Sequence, residues 1–235
     1  MPDYDVPVTR LVLWDIDGTL VDAAGFGWRI GQQAYLDVCG SPLTITVALA
    51  GRTDRAIYLE ALAANGRDDS DLAALCQAIG TLAEASREDI LAGGGRALPG
   101  ALAAIAALAA QPDVVQSVLT GNIRSLGLVK LGAFGFLDHL DVGVAAFGDD
   151  HLDRADLVEV ARELYRARDG VGPAPHVVLV GDTPLDVAAA RDSGAGIVAV
   201  ATGLFSVDEL EAAGAPVVLP DLTDPDRLVA AVLAA

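Results

Sequence analysis

The chain has 235 residues, 53% hydrophobic and 20% charged, which is enough to bury a large core and too apolar for disorder. Its formal charge of −18 excludes nucleic acid and anionic membrane surfaces as partners, because both need a basic face. The longest uncharged run, Ala97 to Pro112, carries two prolines and is too short for a membrane span, and the two cysteines, Cys39 and Cys76, lack zinc-ligand spacing.

In chain order, residues 10–15 read as a buried strand, an apolar run ending in Asp15-Ile16-Asp17-Gly18-Thr19. Helical periodicity follows over Gly25 to Val38, Asp54 to Ala64 and Asp71 to Leu91, with Leu43 to Leu49 ambiguous and Gly93-Gly94-Gly95 breaking the pattern. From Pro99 the elements alternate. Helices are expected at Ala101–Ala110, Ile123–Phe134, Arg154–Arg168, Leu185–Asp192, Val207–Ala213 and Pro225–Leu233. Strands are expected at Val114–Leu119, Leu140–Val144, His176–Val180, Ile197–Val200 and Val217–Leu219.

Such alternation specifies an α/β fold, a Rossmann-like, mostly parallel sheet flanked by helices. The helical block reads as an inserted α-helical subdomain, so residues 1–21 and 95–235 are assigned to the core and 22–94 to a cap. The opening Met-Pro-Asp-Tyr-Asp lacks the basic and apolar regions of a secretion signal, so a cytoplasmic protein is expected, a monomer or homodimer.

Ligands of open parallel sheets bind at the carboxyl ends of strands. Three such ends are polar: Asp15 and Asp17, Thr120-Gly121-Asn122, and Gly181-Asp182-Thr183-Pro184-Leu185-Asp186. Each has a plainer reading. The second fits an ordinary helix N-cap, and the third a capped helix start with proline in its first turn. Together they suit metal-assisted phosphoryl transfer. Asp15, Asp182 and Asp186 supply hard oxygen ligands for Mg²⁺, and a carboxylate can attack phosphorus while a second one moves protons. Thr120, helix N-terminal N–H groups and a cation would neutralise the phosphoryl oxygens.

Fourteen arginines accompany one lysine, Lys130. A bias toward arginine would replace lysine wherever the two are equivalent, so Lys130 is a candidate for a site that needs a compact ammonium.

These motifs resemble the haloacid dehalogenase superfamily, in particular its phosphoglycolate-phosphatase-like branch with a helical cap. Asp15-Ile16-Asp17-Gly18-Thr19-Leu20-Val21-Asp22 is similar to its first motif, Thr120-Gly121-Asn122 to its second, and Gly181-Asp182-Thr183-Pro184-Leu185-Asp186 to its fourth. The resemblance implies Asp15 as nucleophile and Mg²⁺ ligand. It implies Asp17 as general acid/base with its backbone carbonyl on the metal, Asp182 as metal ligand with Asp186 behind it, and Thr120 on the transferring phosphoryl group. The third motif departs from the pattern: the usual Lys-Pro is missing from Asp149-Asp150-His151-Leu152-Asp153-Arg154. Order in the chain favours Arg154 as the substitute, and the lone-lysine argument favours Lys130. An aspartate at position 17 points away from halide displacement, and a phosphonatase would need a cap lysine that this chain lacks. A phosphatase of a small phosphorylated metabolite is expected; a β-phosphoglucomutase-like mutase and a non-catalytic phospho-ligand binder are the alternatives. Arg52 and Arg55, beside Gly51 at a helix start, are the candidate substrate-binding residues.

Overall fold

The computed structural model describes residues 10–44, 49–169 and 175–235. Part of the ambiguous stretch Leu43 to Leu49 therefore lies outside the described residues. The chain begins with β1 (Arg10–Trp14) and β2 (Val21–Asp22), followed by α1 (Phe26–Cys39), α2 (Asp54–Ala64), α3 (Leu72–Ala85) and α4 (Asp89–Ala92). Next come β3 (Arg96–Ala97), α5 (Ala101–Ala109), β4 (Val114–Val118), α6 (Arg124–Ala133) and α7 (Arg154–Asp169). The chain closes with β5 (His176–Gly181), α8 (Pro184–Ser193), β6 (Gly196–Val200), α9 (Val207–Ala212), β7 (Val218–Leu219) and α10 (Pro225–Ala234). No helix among the described residues is long and apolar enough to cross a membrane.

Five strands form a parallel sheet in the order β4-β1-β5-β6-β7. Successive side chains of a strand point to opposite faces, and here both faces are covered. Val12 and Trp14 of β1 join Val118, Val178, Val180 and the apolar sides of α5 and α10. Leu11 and Leu13 join Val177, Leu179 and the apolar sides of α7 and α8. This two-sided burial is why β1 reads as an unbroken apolar run. The buried Trp14 indole donates to Gln116 Oε1 at 3.0 Å, and the Gln116 amide donates onward to Ile105 O, so the polar atoms in that layer are paired.

Register fixes where the strands end. Trp14 pairs with Val118 on one side and Val180 on the other, so Asp15, Leu119 and Gly181 leave the sheet level with one another. The expected strand at Leu140–Val144 does not form; Val142–Val144 is a single 3₁₀ turn. Asp141 accepts from Gly143 N, and Ser117 Oγ donates to Asp141 O, so side chains compete with the ladder for these backbone groups. A bridge between Leu119 and Ala146 marks that sheet edge. The expected helix Asp71–Leu91 is likewise two, α3 and α4, separated at Ser86, Arg87 and Glu88, where polar residues interrupt the apolar period.

Helices α1 to α4 lie between β2 and β3, which pair antiparallel, Val21 with Ala97 and Asp22 with Arg96. Phe26, Ile30, Tyr35, Leu75 and Ile79 of these helices share one continuous apolar cluster with the α6 face of the sheet. Helix α3 comes so close to α6 that a Cβ on Gly80 would stand 2.5 Å from Ser125 Oγ.

Candidate active site

The three polar strand ends converge. Asp15 follows β1, donates its backbone N–H to Val180 O, and is 5% exposed. Gly18 then adopts φ +80°, and a Cβ there would lie 2.3 Å from Asp182 Oδ2, so only glycine fits both the turn and the approach. Thr19 Oγ1 donates to Asp182 Oδ1 at 3.0 Å. Asp186 closes a capping box at the start of α8: its Oδ2 accepts from the Thr183 N–H and hydroxyl, while Thr183 Oγ1 accepts from Asp186 N. The helix-start reading of this motif thus holds for Thr183 and Asp186, and Asp182 stands free of it.

Two cations divide the acids. Arg154, the first residue of α7 and 7% exposed, places Nη2 3.0 Å from Asp15 Oδ1 and 2.5 Å from Asp186 Oδ1. Lys130, two turns into α6, reaches back along the helix as side chains do. Its Nζ lies 2.5 Å from Asp17 Oδ2 and 2.6 Å from Asn122 Oδ1. Asn122 Nδ2 donates to the same Asp17 oxygen at 2.7 Å and to Thr120 Oγ1 at 2.9 Å. Arg154, not Lys130, therefore meets Asp15. Asp17 remains 44% exposed to a cavity of about 570 Å³ that also receives Asp15, Thr120, Gly121, Asn122, Lys130, Arg154 and Asp182.

Burial is the main force on the acids. It pushes the Asp15 carboxyl up to about 6, against the pull of Arg154 and with a further push from Asp186 and Asp17. It pushes Asp182 up to about 8, and Asp15 and Asp186 add to the rise against the Thr19 hydrogen bond and Arg154. Burial opposes the charge of Arg154, but Asp15 and Asp186 outweigh it and hold the guanidinium protonated. Oxygens of Asp15, Asp182 and Asp186 lie within 4.8 Å of one another, all buried. Asp182 has a hydroxyl for a partner and no ion pair among the described residues. A hard dication is what such an oxygen set lacks, so the residues fit a metal of the Mg²⁺ kind.

The two arginines expected at the substrate behave differently. Arg52 lines the cavity and pairs with Glu60 at 2.7 Å. Arg55 is not among the residues that line the cavity, and its guanidinium donates to Asp149 O at 2.7 Å. The sequence reading missed three further elements. Thr202 Oγ1 donates to Gly18 O at 2.5 Å, and a Cβ on Gly203 would fall 1.8 Å from Asp182 Oδ2, so the loop after β6 walls the site. A Thr-Gly pair after a strand was the available signal. Asp54 also lines the cavity, disguised in the sequence as an ordinary acid at a helix start. Arg96 lines it too, paired with Asp22 at 2.6 Å.

A parallel α/β core with a buried carboxylate cluster and two partnered cations at its strand ends defines a hydrolase built around acidic side chains. The chain belongs to the haloacid dehalogenase-like hydrolases, whose family model matches residues 12–191. It is 31% identical to the plasmid-encoded phosphoglycolate phosphatase of Cupriavidus necator, over 98% of this chain and all of that one. Among solved structures, a hydrolase from Pseudomonas syringae matches with a TM-score of 0.65 and 22% identity, covering 93% of this chain and 96% of that one. A β-phosphoglucomutase candidate from Bacteroides vulgatus matches with a TM-score of 0.66 and 19% identity, covering 98% and 91%. At these identities the two solved structures share the fold.

Proposed function

We propose that this protein is a Mg²⁺-dependent phosphatase that hydrolyses a small phosphorylated metabolite through an aspartyl-phosphate on Asp15. The observation that carries the reading is the unlike environment of two carboxylates on one cavity. Asp15 is enclosed against Arg154, which holds it in place to attack phosphorus. Asp17 is open to the cavity and held through one oxygen by Lys130 and Asn122, which leaves its other oxygen to trade protons with a substrate.

In the first step an Asp15 oxygen bonds to phosphorus, the ester P–O bond breaks, and the leaving oxygen takes the proton of Asp17. In the second, the Asp17 carboxylate removes a proton from water, the water oxygen attacks phosphorus, and phosphate leaves with Asp15 restored. Thr120 accepts from Asn122, which leaves its hydroxyl proton free for a phosphoryl oxygen. Held by Asp15, Asp182 and the Asp17 carbonyl with Asp186 behind, Mg²⁺ would neutralise charge on the phosphoryl group. The segment 22–94 serves as the cap and sets the substrate through Arg52, Trp28, Phe26 and Tyr58, which line the cavity. A cavity of about 570 Å³ has room for leaving groups larger than glycolate as well as for glycolate itself.

The test is phosphate release from phosphoglycolate, sugar phosphates and nucleoside monophosphates, with and without Mg²⁺. Release should depend on Mg²⁺ and fall at least about a thousandfold in Asp15→Asn. No Asp15-dependent release across the panel would sink the reading, and isomerisation without release would favour the mutase.

A further inference from the structure

Asp54 is the first residue of α2, where an acid ordinarily sits in water and complements the helix dipole. Here it is partly buried beside the cavity and makes no ion pair among the described residues. Its carboxylate is committed to the core. Oδ2 accepts the Ile123 N–H at 2.9 Å, and the Asp54 N–H donates to Gly121 O at 2.7 Å. These two bonds clamp the turn Gly121-Asn122-Ile123 from both ends. The contact is backbone-tight: a Cβ on Gly121 would stand 2.1 Å from Arg52 O.

Ile123 is the N-cap position of α6, and its own N–H, the donor that the third helical residue would take in a capping box, is instead accepted by Asp54 from α2. Two helix N-termini thus face one carboxylate, which offsets the cost of its burial. Burial remains the dominant influence on Asp54 and pushes its carboxyl up to about 6, with Lys130 and the Ile123 N–H pulling it back.

The clamped turn carries Asn122, which holds Asp17, and leads into the helix that carries Lys130. On its other side Lys130 is enclosed by α1, where a Cβ on Gly27 would lie 3.2 Å from Nζ. We propose that Asp54 is a positioning residue: through the Gly121–Ile123 turn it fixes Asn122 and Lys130, and so the carboxylate of Asp17. The inference rests on the reading of Asp17 as general acid/base.

Leaving-group dependence tests it. A p-nitrophenyl ester departs without protonation and an alkyl ester does not, so in the ester-cleaving step, which kcat/KM reports, a fault in Asp17 slows the alkyl ester selectively, while its work on the attacking water is common to both. Asp54→Ala should lower kcat/KM on an alkyl phosphate about thirtyfold and on p-nitrophenyl phosphate less than about threefold. Asp54→Asn keeps an oxygen for the Ile123 N–H and should stay within about threefold of the parent on both esters. Asp54→Glu keeps the charge, displaces the acceptor by one methylene and should show the selective loss even if the alanine variant does not fold. Equal losses on both esters, or none, in the alanine and glutamate variants overturn the proposal while Asp17→Asn still discriminates between the esters. If Asp17→Asn itself fails to discriminate, the general-acid reading falls, and that failure is distinct from the first.

Discussion

The two halves of the site solve the same problem with different cations. Around Asp15, a guanidinium lies between two carboxylates, Asp15 and Asp186, and a planar group with several donors suits such a bridge. Around Asp17, an ammonium sits between one carboxylate oxygen and the Asn122 carbonyl, beside a glycine whose added Cβ would lie 3.2 Å from Nζ. The first half is closed and holds charge in place. The second opens on the cavity and, in the function proposed above, moves protons. A chain rich in arginine has kept its one lysine where only a compact cation fits.

The largest effect should come from breaking the closed half. Arg154→Met leaves Asp15 and Asp186 buried without their cation, a loss of about 3–5 kcal/mol for one partner of a buried pair. Activity should fall by more than about a thousandfold and the melting temperature should drop, both read on the same purified protein. Activity near the parent level would show that Arg154 only fills space.

The open half gives a sharper contrast. Lys130→Arg conserves charge, yet Nζ is held between Asp17 Oδ2 at 2.5 Å and Asn122 Oδ1 at 2.6 Å, so the longer, wider head must displace Asn122 or Asp17. We expect kcat/KM on alkyl phosphates to fall about ten- to a hundredfold, with a smaller loss on p-nitrophenyl phosphate. Full activity in Lys130→Arg would remove the distinction between the two cations.

The smallest effect concerns protons and metal in the closed half. The Asp182 and Asp15 carboxyls are raised from 3.8 to about 8 and about 6, so the metal-free fold holds more protons than the unfolded chain above pH 4. Their stabilising contribution is complete below pH 4 and is lost as pH rises through about 6 and then about 8. A dication that replaces those protons should therefore help most at high pH. At a Mg²⁺ concentration a hundredfold above Kd, we expect a rise in Tm of about 5–10 °C at pH 8 and less than about half of that at pH 5. A thermal shift equal at both pH values would argue against metal binding at Asp182.

Much of the architecture was legible in the chain. The apolar runs at β1 and β5 stop where carboxylates begin, because a strand buried on both faces tolerates polar groups only at its ends. The Leu140–Val144 segment misled because Asp141 and Ser117 offer its backbone nearby partners, a competition that hydrophobic alternation does not register. Arg52 and Arg55, three positions apart at one helix start, take different partners, Glu60 and the Asp149 carbonyl, and no local pattern tells them apart.

By itself, the sequence determined the order of strands and helices, the helical insertion between the first strand and the alternating part, and the placing of acids at strand ends. These follow from burial periodicity and from turn residues, which act over a few positions. Only the tertiary structure decided which acid each cation serves. Arg154 and Lys130 were rivals for one role in the chain, and in the fold they hold separate roles, 139 and 113 residues from Asp15 and Asp17 respectively. The same holds for Asp54, whose partner lies 69 residues away on the core. Hydrogen-bond partners are selected within tenths of an ångström, and no local pattern carries that information across such separations.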